Sequence, residues 1–318
     1  TSNFNTRQNS YDISADVLGY PESYFTPPAE AIEEIQIIRG AASLQYGTQF
    51  GGLLNFKLKE STTQKPISLL LRNSIGSNSL YTNFTQVSGK LGKWRYTSFF
   101  NLKNGNGFRP NSKFNSSNVF FKLSHDISKD TQVSAEITYL DYLAQQAGGL
   151  SENLFQENPY QSNRERNWFG LYWFLYNFKL EHELSKKSNL SLNIFGLNAQ
   201  RNAIGFRSNR VSQIDPNQER DLIKGDFNNY GLELRWLQKY KIRNKESVFL
   251  LGGKYYSDRN TSIQGPGSAQ SDADFSFYKE QYPTYSQQSN YIYPNENFAL
   301  FAENIFYFND DLSITPVL

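Results

Sequence analysis

The chain has 318 residues, an aromatic content of 16%, a formal net charge of +2 and neither cysteine nor methionine. Its mean hydropathy is −0.62, and no apolar run approaches the ~20 residues that a spanning helix needs. Those features exclude a helical membrane protein, disulfide scaffolds and thiolate chemistry, and the balanced charge gives no bulk field for nucleic acid. Two classes fit the polar, aromatic composition: a soluble all-β protein, or a membrane barrel in which only alternate residues face lipid.

Residues 1–62 do not read as barrel wall. PPAEAIEEI at 27–35 offers proline at a helix start, early acidic residues and Ala31, Ile32 and Ile35 on one side, so a short helix is expected there. EIQIIR follows as a strand stopped by Gly40, then AASLQYG as a turn or short helix. Gly51 and Gly52 let the backbone bend into LLNFKLK. This small α+β unit is too short to bury a sizeable core by itself.

From 63 onward the chain reads as strands, at 66–75, 79–88, 92–103, 116–125, 130–143, 169–184, 188–201, 227–240, 246–258 and 297–308, with another beginning at 312. Val133, Ala135, Ile137 and Tyr139 alternate with Gln132, Ser134, Glu136 and Thr138, and Leu232, Leu234 and Trp236 alternate with Glu233 and Arg235. That period of two marks strands with one apolar and one polar face. In 169–178 both faces are aromatic, and the pattern assigns neither. Tight turns at 88–92, 126–131, 184–189, 241–246 and 309–311 alternate with connections that are mostly long, at 104–115, 144–168, 202–226 and 259–296. Several long loops are unusual in a compact soluble domain. Short turns at one end and long loops at the other favour the transmembrane barrel.

The tract IEEIQIIRGAASLQYGTQFGGLLNFKLKE, at 32–60, carries a resemblance. Ile38-Arg39-Gly40, Leu44, Tyr46-Gly47, Gly51-Gly52 and Asn55 resemble the end of the plug domain of TonB-dependent outer-membrane transporters. Tyr46-Gly47-Thr48-Gln49 with Asn55-Phe56, and LGYPESYFTPPAEAIEEI before them, are most similar to that family's ferric dicitrate branch. Leu18-Gly19-Tyr20-Pro21 stands where the family has an Asp-Gly-Val-Pro signature.

The resemblance implies the C-terminal part of a plug at 1–62. It implies the first part of an antiparallel barrel at 63–318, about half of a 22-strand wall. It also implies energy-coupled uptake of a ferric chelate, citrate-like or a siderophore, across the bacterial outer membrane. No catalysis and no intrinsic cofactor or metal go with such a role. The expected partners are outer-membrane lipid, the chelate and the inner-membrane TonB energy-coupling complex, and nucleic acid is not among them. Importers of glycans or peptides in a partner complex, and a surface protein that binds or adheres, remain as alternatives.

In the family's citrate branch a glutamine at this motif position contacts ligand, and that role carries to Gln49. An anionic chelate needs cations in the long loops, where Arg109, Arg164, Arg166, Arg201, Arg207 and Arg210 lie, with Arg7 as a candidate from the plug. Arg39, on the last plug strands, is expected to pair with a wall carboxylate such as Glu233 or Glu303. Gly40, Tyr46, Gly47, Gly51 and Gly52 are the structural residues of the same plug–wall unit.

Overall fold

A computed structural model describes residues 4–15, 24–39, 46, 51–60, 64–208, 210–242, 245–278, 288–308 and 312–317. Four strands near the N-terminus form one sheet: β1 (Phe4–Gln8), β2 (Tyr11–Asp12), β3 (Ile32–Ile38) and β4 (Gly52–Leu58), in the order β2-β1-β4-β3. β1 and β2 make a hairpin whose two turn residues, Asn9 and Ser10, both have positive φ, at 46° and 75°. That is the primed geometry whose twist matches the flanking strands, and asparagine tolerates it best after glycine. Gly52 opens β4 at φ +100°, where a Cβ would sit 2.2 Å from the Ile38 carbonyl oxygen, so only glycine fits.

The helix expected from PPAEAIEEI is replaced by a single turn over Ala29–Ala31 that passes directly into β3. The β-branched run Ile32, Ile35, Ile37 and Ile38 pairs with β4 instead, and strand pairing overrides the acidic start signal. The turn or short helix expected from AASLQYG lies outside the described residues except for Tyr46.

The remaining strands form one antiparallel sheet in strict chain order: β5 (Ser68–Gly76), β6 (Leu80–Leu91), β7 (Trp94–Gly105), β8 (Phe114–Asp126), β9 (Thr131–Gln145), β10 (Trp168–Ser185), β11 (Ser188–Gly205), β12 (Asp221–Ile242), β13 (Lys245–Pro266), β14 (Ser289–Tyr307) and β15 (Ser313–Ile314). β12 and β13 run 22 residues each, well past the expected 227–240 and 246–258. The extra length shortens two expected loops to 206–220 and 267–288. The start of the β13 extension (Arg259, Asn260, Thr261, Ser262) is polar on both faces, so hydrophobic alternation does not mark it. A one-turn helix, α1 (Glu152–Glu157), sits in the connection between β9 and β10 with Ser151 as its cap.

The structure assigns the faces of the aromatic run in β10. Leu171, Trp173, Leu175 and Asn177 are buried on the inward face, whereas Tyr176 and Phe178 are exposed on the outward one. Ile137, Ile194, Leu232 and Leu234 share the outward side, and Glu136, Phe195 and Glu233 the inward. Apolar residues thus cover the outside, as a lipid-facing wall requires. The inward side packs the small sheet. Tyr11, Ile13, Phe25 and Phe56 of the plug join Leu140, Trp173, Leu175, Phe195, Leu197 and Tyr256 of the wall in one buried cluster. Leu58 and Ala31 meet Phe84, Phe99 and Phe120 in a second.

Candidate functional site

Two polar constellations occupy the inward side, one where plug meets wall and one among the long loops. In the first, the β1–β2 hairpin presents Arg7 and Asp12 to β12 and β13. Arg7 is fully buried; its Nη1 and Nη2 both donate to Glu233 Oε2 at 3.2 Å, and Nη2 also donates to Asp12 Oδ2 at 3.3 Å. Lys254, the cross-strand neighbour of Glu233, donates to the same Asp12 oxygen. Arg235 Nε donates to Glu233 Oε1 at 2.6 Å. Its guanidinium lies 4.3 Å from the Tyr46 ring centre, and that of Arg7 lies 4.7 Å from the same ring. Three cations thus face two carboxylates and one aromatic ring in a dry interface. Burial works to raise the Asp12 carboxyl, but Arg7 and Lys254 outweigh it and hold it below the ordinary carboxylate value.

The hairpin turn docks beside this cluster. Asn9 Nδ2 donates to Glu136 Oε2 at 2.9 Å while its Oδ1 accepts the Leu58 amide at 2.9 Å. Gln8 Nε2 donates to Thr138 Oγ1 at 3.0 Å and to Glu136 Oε1 at 3.3 Å. Asn55 accepts the Ser10 amide at 2.9 Å and donates to Gln36 at 2.8 Å, tying three plug strands together. Burial, with the Glu136 carboxylate alongside, pushes the Tyr11 phenol well above its ordinary value.

The second constellation is at the long-loop end. Arg166 grips Asp215 with two bonds, Nε to Oδ2 at 2.9 Å and Nη2 to Oδ1 at 2.5 Å, and also donates to the carbonyls of Gln218 and Ala269. Arg220 Nη1 donates to the carbonyls of Arg166 and Asp272, both at 2.8 Å. These two side chains stitch together the loops at 146–167, 206–220 and 267–288. Burial tends to raise the Asp215 carboxyl, and the bonds from Arg166 outweigh it. Burial and the adjacent Arg166 pull the Arg220 guanidinium below its ordinary value.

Beside the stitch opens a cleft of about 670 Å³ lined by Gln146, Asn163, Arg164, Asn167, Arg207 and Gln264, among others. Arg164 spends its guanidinium on the carbonyls of Asn163, Gln213 and Val211 and the hydroxyl of Ser208. None of those hydrogen-bond acceptors carries charge. Arg207 is exposed at the rim. A cationic, amide-lined cleft of this size suits a small polyanion.

The expected ligand residues therefore separate. Arg164 and Arg207 share the cleft; Arg166 is a loop brace. Arg109 donates to the Gly148 carbonyl at 2.5 Å and steadies the cleft edge, while Arg201 donates to the Tyr24 hydroxyl at 3.1 Å. Arg210 is exposed on the same loop as Arg207. Gln49, Gly40 and Gly47 lie outside the described residues.

Arg7 corrects its own expectation. It is buried on β1 between the plug sheet and the wall, out of reach of a ligand in the loops. It also bonds Glu233, one of the two wall carboxylates named for Arg39. β3 is the edge strand of the plug sheet, so Arg39 at its end stands exposed, whereas the β1–β2 hairpin at the other edge reaches Glu233. Glu303 is half-buried on β14 opposite Leu250. Sequence reading missed Asp12, Lys254, Glu136 and Arg220. Glu136 had a signal, a carboxylate on the polar face of an alternating strand; Arg220 had none.

No protein-family model and no curated relative matches the sequence. Solved structures do match in fold. The unliganded ferric citrate transporter FecA superposes with a TM-score of 0.76 at 13% identity, over 98% of this chain and 52% of that one. The pyoverdine outer membrane receptor FpvA from Pseudomonas aeruginosa PAO1, bound to pyoverdine, gives 0.72 at 16% identity, over 98% and 48%. The ferric enterobactin receptor PfeA gives 0.65 at 13%, over 99% and 49%. The chain spans about half the length of these proteins. Over that span it shares their fold, a small sheet packed on the inward face of an antiparallel β-wall.

Proposed function

We propose that the protein carries an anionic ferric chelate across the bacterial outer membrane, with the plug moved by energy from the inner-membrane TonB complex. One observation carries this reading: a plug sheet sealed against the inward face of an antiparallel wall, beneath an arginine-lined cleft at the long-loop end. A plug packed on the wall through buried ion pairs stands in the way of solute, so passage requires the plug to shift, and a shift against those pairs requires work. The fold shared with a ferric citrate transporter and with pyoverdine and enterobactin receptors supports the iron-chelate class.

In this reading Arg164 and Arg207 supply the cationic wall of the site, with Gln146, Asn163 and Asn167 as amide partners for carboxylate oxygens. Gln49 is a further contact from the plug, and the cargo is citrate-like in charge and size. The barrel sits in the outer membrane, with the apolar outward face of β8–β13 in lipid.

Calorimetry on the detergent-solubilised protein tests the cargo. Ferric citrate is expected to bind saturably, iron-free citrate much more weakly. If neither ferric citrate nor any siderophore chelate binds, the iron-chelate reading fails; if the protein is folded and monodisperse without detergent, the barrel reading fails.

A further inference from the structure

The plug meets the wall along two chemically different seams. Toward β12 and β13 the contact is dry and ionic, with Arg7, Asp12, Glu233 and Lys254 all within a few per cent of full burial. Toward β8, β9 and β10 it is interrupted by a cavity of about 170 Å³, lined from the plug by Asn9, Ser10, Asn55 and Lys57 and from the wall by Lys122, Ser134, Glu136, Asn177 and Lys179. Such a space has room for about five water molecules. Asn177, 5% exposed, lines it from β10.

The register of β9 on β10 places this cavity. Lys179 faces Ser134 and Asn177 faces Glu136 across the strands, whereas the next inward pairs, Leu175 with Thr138 and Trp173 with Leu140, are dry. The cavity therefore begins where the apolar layer ends, on the short-turn side. Its charges are already arranged for water. Lys122 bridges Glu60 at 2.5 Å and Glu136 at 3.9 Å, and the Glu60 side chain is 56% exposed. The Lys122–Glu136 pair lies within the wall, between β8 and β9, whereas Lys122–Glu60 crosses the seam, and parting that exposed pair costs far less than stripping one partner from the dry cluster.

We infer that solute passing the plug leaves along this wet seam, between plug strands β1 and β4 and wall strands β8–β10, with the cavity as the preformed inner end of the route. The dry ionic seam stays closed and acts as the hinge side. This rests on the transport reading above and adds which side of the plug opens.

The absence of native cysteine makes a direct test possible. A disulfide across the wet seam, N9C with E136C, joins residues that already touch. A disulfide across the dry seam, S14C with N229C, joins the Ser14 backbone region to Asn229, which donates to the Ser14 carbonyl at 3.2 Å. In energised cells producing the protein, ferric chelate uptake is expected to fall about ten-fold or more on oxidation of the wet pair and to return on reduction, as for a gated step. The oxidised dry pair is expected to keep most of its uptake. Uptake that persists through an oxidised wet seam, or that stops equally with either bridge, overturns the proposal.

Because E136C removes a buried carboxylate, a second measurement stands apart from folding and cargo. S134C is expected to react with a small impermeant thiol reagent about ten-fold faster than S14C, and faster still when cells are energised. Equal rates overturn the seam assignment whatever the cargo proves to be. Loss of chelate binding by the unaltered protein would instead count against the transport reading alone.

Discussion

The two arginine clusters of this chain use the same chemistry for opposite ends. At the plug seam, Arg7 reaches 226 residues along the sequence to contact Glu233 directly, with a second carboxylate shared with Lys254. At the long-loop end, Arg166 reaches 49 residues to Asp215 in a pair whose carboxylate is 14% exposed, and otherwise holds backbone carbonyls. The first joins the plug sheet to the wall; the second joins loops of the wall into a rim. Position in the dielectric, not residue type, decides which cluster resists motion.

Removing one carboxylate from the dry cluster should have the largest effect. Glu233→Gln leaves Arg7 and Arg235 without their common anion, and an uncompensated buried charge costs about 3–5 kcal/mol. Thermal unfolding in detergent should drop accordingly, and protease should reach the plug. If Arg166→Ala costs as much, the contrast between the clusters is broken. The expected loss there is about 1–3 kcal/mol, seen as faster amide exchange in 206–220 and 267–288 with the plug still protected.

Tyr46→Leu sharpens the comparison on the dry side. Two guanidiniums sit on that ring, and losing it should cost about 2 kcal/mol, with no change in chelate affinity if the cluster serves docking alone. Acid should act on the same side. The Asp12 carboxyl is held below its ordinary value, so its contribution is present above the unfolded-state value of about 3.9 and is lost as pH falls through the lower folded value. Plug release measured by protease across that acid range should move to higher pH in Lys254→Met. The smallest stability effect belongs to Arg207→Ala. An exposed rim residue should leave unfolding within about 0.5 kcal/mol, yet weaken binding of ferric citrate about ten-fold if the cleft is the site.

The barrel was legible because its signal is local. Alternation in 130–143 and 188–201 and the asymmetry of the connections need no tertiary information. Where both faces are aromatic, as in β10, the period carries no phase, and only the plug packed on Trp173 and Leu175 decides which face is inward. The helix expected at 27–35 failed for a related reason: its acidic start was visible, while the partner strand that captured Ile32–Ile38 lies some twenty residues on. That Arg7 reaches Glu233 was not legible, because motif proximity says nothing about which edge of a four-stranded sheet faces the wall. Of the loop arginines, sequence marked their region but could not separate Arg164, which lines a cleft, from Arg166, which braces one.

Glu233 and Lys254 face each other across β12 and β13, on the inward side of a strand pair whose neighbours Leu232 and Leu234 point outward. A slip of one residue during assembly would turn that side outward, sending the carboxylate and the ammonium into hydrocarbon and the leucines into the lumen. A lysine near the bilayer midplane costs about 2–4 kcal/mol, and the plug would lose its anchor as well. The charges that hold the plug sheet therefore also disfavour a mispaired wall.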